Sequence, residues 1–247
     1  ASFRTPLRVA VRLVNTQSPN PKYATSVTFR KLRRLLGPTA LGYAYDHIRQ
    51  LPRLPDPMNV LETPLVGVLV IEPRVFEDQR GFFLETYQQP RFSEAGIDIA
   101  FVQDNWSHST RGTLRGLHYQ LSRPQAKLVQ VVTGSVFDVA VDLRRESPSF
   151  GQWYGTTLSQ ENHRQLLIPS GCAHGFLVTS DSADFQYKCS DIYHPESERT
   201  LLWNDPDIGI EWPLQCDPIL SAKDRAGLPL ARAECFETTG PGVPGDA

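Results

Sequence analysis

The stretch Lys127–Leu143, KLVQVVTGSVFDVAVDL, decides the fold class. Two runs rich in β-branched residues flank Thr133-Gly134-Ser135, where Gly134 supplies the break that a turn needs. Neither run repeats its apolar residues with a 3.6-residue period, so both read as strands. The same pattern recurs along the chain from Gly67: GVLVIEP (67–73), GFFLETY (81–87), QWYGTTLS (152–159), RQLLIPS (164–170), HGFLVTSD (174–181) and DFQYKCSD (184–191). Many short strands, punctuated by Gly, Pro, Asp and Ser, point to a sandwich, jelly roll or barrel. Short helices are expected only at QPRFSEAG (89–96) and near SAKDRAG (221–227).

The 247 residues suit one large domain, or one domain with an appendage, and 40% hydrophobic content suits an ordinary globular core. No apolar run is long enough to span a membrane. The four cysteines form no C-x-x-C pair, so reduced thiols in a cytosol are expected. The net charge of −2 hides a division. Residues 1–57 carry ten Lys/Arg against two Asp/Glu, and the remainder carries fifteen against twenty-five. Met58 is the only methionine. Residues 1–57 are therefore expected to be a basic extension outside the catalytic domain, reading best as a solvated arm and more weakly as a transit-like leader or a nucleic-acid contact. The domain itself is expected over 58–234, with a structureless tail over 235–247.

Alternation assigns faces, because side chains in a strand point to opposite sides with a period of two. His174 shares a face with Phe176 and Val178, Tyr187 with Phe185 and Cys189, and Lys127 with Val129 and Val131. A lysine turned into a barrel is costly unless it meets an anion or a polar ligand. His118 has Gly116 and Gln120 where a metal-binding barrel would place a second histidine, and no two histidines stand in H-x-H or H-x-x-x-H spacing. A P-loop, a G-x-G-x-x-G fingerprint and a serine-hydrolase elbow are absent. The residues left over are His118, Lys127, Asp138, His174, Tyr187, Arg80 and Arg115. Singly, each has an ordinary structural reading. Together they suit a lumen that binds a charged polar molecule and moves protons.

From about Gly67 to Asp224 the chain resembles the dTDP-4-dehydrorhamnose 3,5-epimerase family. The segments that carry the resemblance are EPRVFEDQRGFFLETY, FVQDNWSHS, LRGLHYQ, the run from Ala126 to Trp153, RQLLIPSGCAHGF, ADFQYKCSDIY, LLWNDPDIGIEWP and LSAKD, all in order. The resemblance implies an all-β, cupin-type jelly-roll barrel with a few short helices. It also implies a cytoplasmic homodimer with no cofactor, no metal, no nucleic-acid partner and no membrane partner. The implied reaction inverts C3 and C5 of dTDP-4-dehydro-6-deoxy-D-glucose. His118 matches the base, Asp224 its orienting partner, Tyr187 the acid and Lys127 the enolate stabiliser. Arg80 and Arg115 match positions that meet the diphosphate and sugar. Phe76, Glu85, Gln103 and Asn105 match positions around the nucleotide, part of which is built across the dimer. His174 and Asp138 match polar positions near the sugar. The loop between His118 and Lys127 is short for the family, and Trp106 and Cys172 are unusual. The alternatives are a single-carbon epimerase of a related sugar or an inactive sugar-nucleotide-binding cupin.

Overall fold

The computed structural model describes residues 58–237, and the basic extension and residues 238–247 lie outside them. Thirteen strands and two short helices follow one another in this part of the chain. The strands are β1 (Met58–Glu62), β2 (Leu69–Pro73), β3 (Val75–Asp78), β4 (Gly81–Leu84), β5 (Gln103–Thr110), β6 (Leu114–Gln120), β7 (Lys127–Thr133), β8 (Ser135–Asp142), β9 (Trp153–Ser159), β10 (Gln165–Ile168), β11 (Cys172–Val178), β12 (Ser182–Cys189) and β13 (Glu198–Thr200). The helices are α1 (Gln89–Glu94) and α2 (Ala222–Arg225). Among the described residues, no helix is long and apolar enough to cross a membrane.

The strands form a six-stranded sheet in the order β1-β2-β10-β7-β12-β5 and a five-stranded sheet in the order β13-β6-β11-β8-β9, with β3-β4 a separate hairpin. The two large sheets face each other as the jelly roll expected from the sequence. Val129, Val131 and Phe185 from the first sheet meet Val136, Ala140, Leu158 and Phe176 from the second.

Both sheets are also covered on the outside. Ile71, Leu128 and Leu167 pack under Phe92 and Ile97 from α1 and its loop. Val139, Val141 and Ala173 pack under Leu201, Ile208 and Ala233 from the C-terminal segment. Burial on both faces explains why β10 and β11 are buried at every residue and read as continuous apolar runs rather than alternating ones.

Residues 235–237, expected to open a structureless tail, are instead docked. The Phe236 N–H donates to Leu143 O at 3.0 Å, and the Arg145 N–H donates to Phe236 O at 2.8 Å. The Phe236 ring meets Tyr119 edge-on. The Gly- and Pro-rich composition that suggested a tail begins only after these residues.

A buried ion pair closes the far end of β8. Asp142 and Arg144 are both fully buried. The carboxylate accepts from Arg144 Nε and Nη2 at 2.8 Å each, and from Ser147 and Ser149. Burial pushes the Asp142 carboxyl up, but the guanidinium and the two hydroxyls outweigh it and hold it below the ordinary value.

Candidate active site

A cavity of about 420 Å³ opens between the sheets, within the range of small-ligand sites. Strands β6, β7, β11, β12 and β5 supply most of its wall. His118 and Arg115 come from β6, Lys127 from β7, His174 from β11, Tyr187 from β12, and Gln103 and Asn105 from β5.

Pairing register brings these residues together. His118 lies opposite His174 in the β6–β11 ladder. Tyr187 lies opposite Asn105 in the β12–β5 ladder, and Cys189 lies between Gln103 on β5 and Lys127 on β7. Gly116 and Gly175 make the β6–β11 junction tight. A Cβ at Gly116 would stand 2.5 Å from Gly175 Cα, and its φ of +121° is open to glycine.

His118 is joined to Asp224. The ring Nε2 stands 2.6 Å from Asp224 Oδ1. Asp224 is only 3% exposed and is held from three sides, because it also accepts from Ser221 Oγ at 2.6 Å and from the Gly116 N–H at 3.3 Å. The same carboxylate completes a capping box with Ser221 at the start of α2. Burial pushes the Asp224 carboxyl up, yet these hydrogen bonds prevail and bring it down to about 2. For His118, burial is the largest influence and lowers the imidazole below its ordinary value. Lys223 and Lys127 add to that, and Asp224 opposes it. A neutral imidazole at neutral pH is the consequence.

His174 forms a second His–carboxylate pair, with Nε2 3.0 Å from Asp138 Oδ2. Its ring stacks on Phe185, which stacks in turn on Phe176 with centroids 4.2 Å apart. Burial raises the Tyr187 phenol, so it stays protonated at neutral pH. Burial lowers the Lys127 amine, while Cys189, Asp138 and Glu198 oppose that shift. Asn105 accepts from Gln103 Nε2 at 3.0 Å and donates to the Cys189 thiol at 3.7 Å. Among the described residues, no group of three His, Cys, Asp or Glu is arranged to hold a metal ion.

Of the residues singled out in the sequence, His118, Lys127, Tyr187, His174, Arg115, Gln103 and Asn105 line this one cavity, and Asp224 and Asp138 stand behind its two histidines. Arg80, Phe76 and Glu85 do not line it. Arg80 stands at the tip of the β3–β4 hairpin, ion-paired to Asp78. Phe76 is 50% exposed on the same hairpin, and Glu85 is paired with Arg91.

The sequence reading missed Glu198 and Lys223, which line the cavity and pair at 2.8 Å. Lys223 adjoins Asp224 in the LSAKD segment, and that adjacency was the available signal. Glu198 sits on a three-residue strand and has no local signature.

The family described as dTDP-4-dehydrorhamnose 3,5-epimerase matches residues 62–232. A dTDP-4-dehydrorhamnose 3,5-epimerase of Pseudomonas aeruginosa is 56% identical over 180 residues, which cover 72% of this chain and 99% of that protein. A crystal structure of dTDP-6-deoxy-D-glucose-3,5-epimerase from Legionella pneumophila, in complex with dTDP-4-keto-L-rhamnose, aligns with a TM-score of 0.72 at 50% identity. It covers 74% of this chain and 100% of that one. A 3'-monoepimerase from Streptomyces bikiniensis, in complex with dTDP-quinovose, is more distant. It is 35% identical with a TM-score of 0.66, and covers 69% of this chain and 87% of that one.

Proposed function

The chain belongs to the dTDP-4-dehydrorhamnose 3,5-epimerase family, and from that premise we propose that it inverts C3 and C5 of dTDP-4-dehydro-6-deoxy-D-glucose by cofactor-free proton transfer. The observation that carries the mechanism is the convergence of His118, Tyr187 and Lys127 on one cavity, with Asp224 bonded to the histidine.

A C–H beside the C4 ketone is acidic because its electron pair delocalises onto oxygen as an enolate. With Asp224 accepting from Nε2–H, Nδ1 of His118 keeps the lone pair that removes the proton. The imidazolium so formed is stabilised by the buried carboxylate. Lys127 supplies an N–H to the enolate oxygen, and the charge developing there favours the protonated amine against its burial. Tyr187, held protonated by burial, returns a proton to the opposite face, which inverts the carbon. Once solvent has taken the proton from His118 and returned one to Tyr187, the second carbon follows by the same steps. Arg115 is the anchor for the diphosphate.

The reading extends to a homodimer. The exposed β3–β4 hairpin, with Phe76 and Arg80, followed by Glu85, would meet the nucleotide in the partner's cavity, which accounts for their distance from their own. Identity is higher to the 3,5-epimerases than to the monoepimerase, which favours inversion at both carbons.

The test is proton exchange. In D₂O with the 4-keto sugar, deuterium should enter C3 and C5, followed by NMR, and His118→Ala should abolish both. Tyr187→Phe should keep the exchange and lose most of the inversion. Deuterium at one carbon alone would establish the monoepimerase reading instead. Absence of exchange in the wild-type protein sinks the mechanism, and a fully active Tyr187→Phe sinks the acid assignment.

A further inference from the structure

Arg115 is tethered in an unusual way for an arginine at a cavity. Its Nε donates to Ser109 Oγ at 3.0 Å, and Ser109 is only 6% exposed. Among the described residues, no carboxylate comes within ion-pair distance of Arg115. The cavity's Lys223, in contrast, is paired with Glu198. The cause lies in the alternation of β5. Gln103, Asn105, Ser107 and Ser109 face inward, and all four are neutral. The acidic residue of the strand, Asp104, faces outward and is paired with Lys188.

We infer that Ser109 is a positioning residue that presents Arg115 to an anionic ligand of the phosphate or diphosphate class. A hydroxyl at this place fixes the guanidinium through one N–H and leaves its remaining donors and its whole charge for the ligand. A carboxylate at the same place would take two N–H groups side by side and neutralise the charge before any ligand arrived. With no tether, the long side chain would lose more rotamer freedom on binding. Ser109 does not line the cavity and acts only through Arg115. The inference rests on the reading of Arg115 as the diphosphate anchor.

The experiment measures dTDP affinity by calorimetry and steady-state kinetics for the wild type, Ser109→Ala, Ser109→Thr, Ser109→Asp and Arg115→Ala. Ser109→Ala should weaken dTDP binding by about ten-fold, the size of a lost hydrogen bond to a charged group. It should raise KM in parallel and leave kcat within about two-fold, the pattern of a lost binding contact. Ser109→Thr, which keeps the hydroxyl, should restore affinity. Ser109→Asp should bind more weakly than Ser109→Ala although its guanidinium is tethered, in variants whose unfolding midpoints by chemical denaturation match the wild type, so that the order reads the neutralised guanidinium rather than a disrupted fold. Wild-type affinity in both Ser109→Ala and Ser109→Asp, alongside a weakened Arg115→Ala, overturns the inference and leaves the anchor reading intact. Undiminished affinity in Arg115→Ala overturns both.

Discussion

Replacing Asp224 with asparagine should remove most of the activity without touching substrate affinity, and the structure allows the size to be worked out. The carboxyl lies at about 2 against an ordinary 3.8, a preference for the ionised form on the order of 2 kcal/mol at about 1.4 kcal/mol per unit. His118 is the largest favourable contributor, ahead of Ser221 and the Gly116 N–H. Assigning it roughly half gives about 1 kcal/mol, or about five-fold in rate, for the lost charge alone. The tautomer adds more. An asparagine amide that donates to Nε2 drives the ring proton onto Nδ1, where the lone pair is needed. Losing a positioned base costs roughly 10²–10⁴-fold, so a fall in kcat on the order of 10³ is expected. Asp224 does not line the cavity, so dTDP affinity should stay near the wild-type value. Deuterium wash-in at C3 and C5 measures the loss, and calorimetry with dTDP checks the site. Asp224→Ala leaves the ring free to choose its tautomer and should lose less than Asp224→Asn. If Asp224→Asn keeps more than about a tenth of the activity, or if alanine proves worse than asparagine in equally folded proteins, the tautomer argument is refuted.

Two further outcomes follow from the site and its scaffold. Because burial and two lysines lower His118 from 6.5, and the proposed base works only when neutral, the acidic limb of kcat/KM should lie below pH 6.5. Burial raises Tyr187 from 10.0, so no loss below pH 10 should come from that acid. An acidic limb above 6.5 in a pH–rate profile would contradict the balance of forces drawn around His118. On the scaffold, Arg144→Met leaves the Asp142 charge buried without its partner. Chemical denaturation should show a loss of about 3–5 kcal/mol. A loss below about 1 kcal/mol would mean that the two serine hydroxyls alone support the carboxylate.

The jelly roll was legible where a strand has one apolar face, as in β12, whose buried residues alternate through its first half, and where burial on both faces leaves a continuous apolar run, as in β8. It was not legible in β5. The inward face of that strand is polar because it lines the cavity, and its outward face carries Asp104, Trp106 and His108. Neither face offers the apolar contrast on which periodicity depends. Strand β13 is too short to show any period.

The site divides in a similar way. Lys127 betrayed itself as a charge on an apolar face, and His118 as a histidine without metal-binding neighbours. The partnership of His118 with Asp224 spans 106 positions of sequence, and only the resemblance to a family linked the two. Arg80, Phe76 and Glu85 carry no pattern that tells whether they serve their own cavity or another. Their exposure and local ion pairs became visible only once the hairpin was folded.

The single carboxylate that caps α2 and grips His118 sets a schedule for the birth of the enzyme. At about 5–20 residues per second, the ribosome delivers Asp224 roughly 5–20 seconds after His118. Throughout that interval the nascent chain carries the proposed base, His118, without the carboxylate that bonds it. A chain stopped just before Asp224 would hold all thirteen described strands and the His174–Asp138 pair, yet would leave His118 without the carboxylate that bonds it.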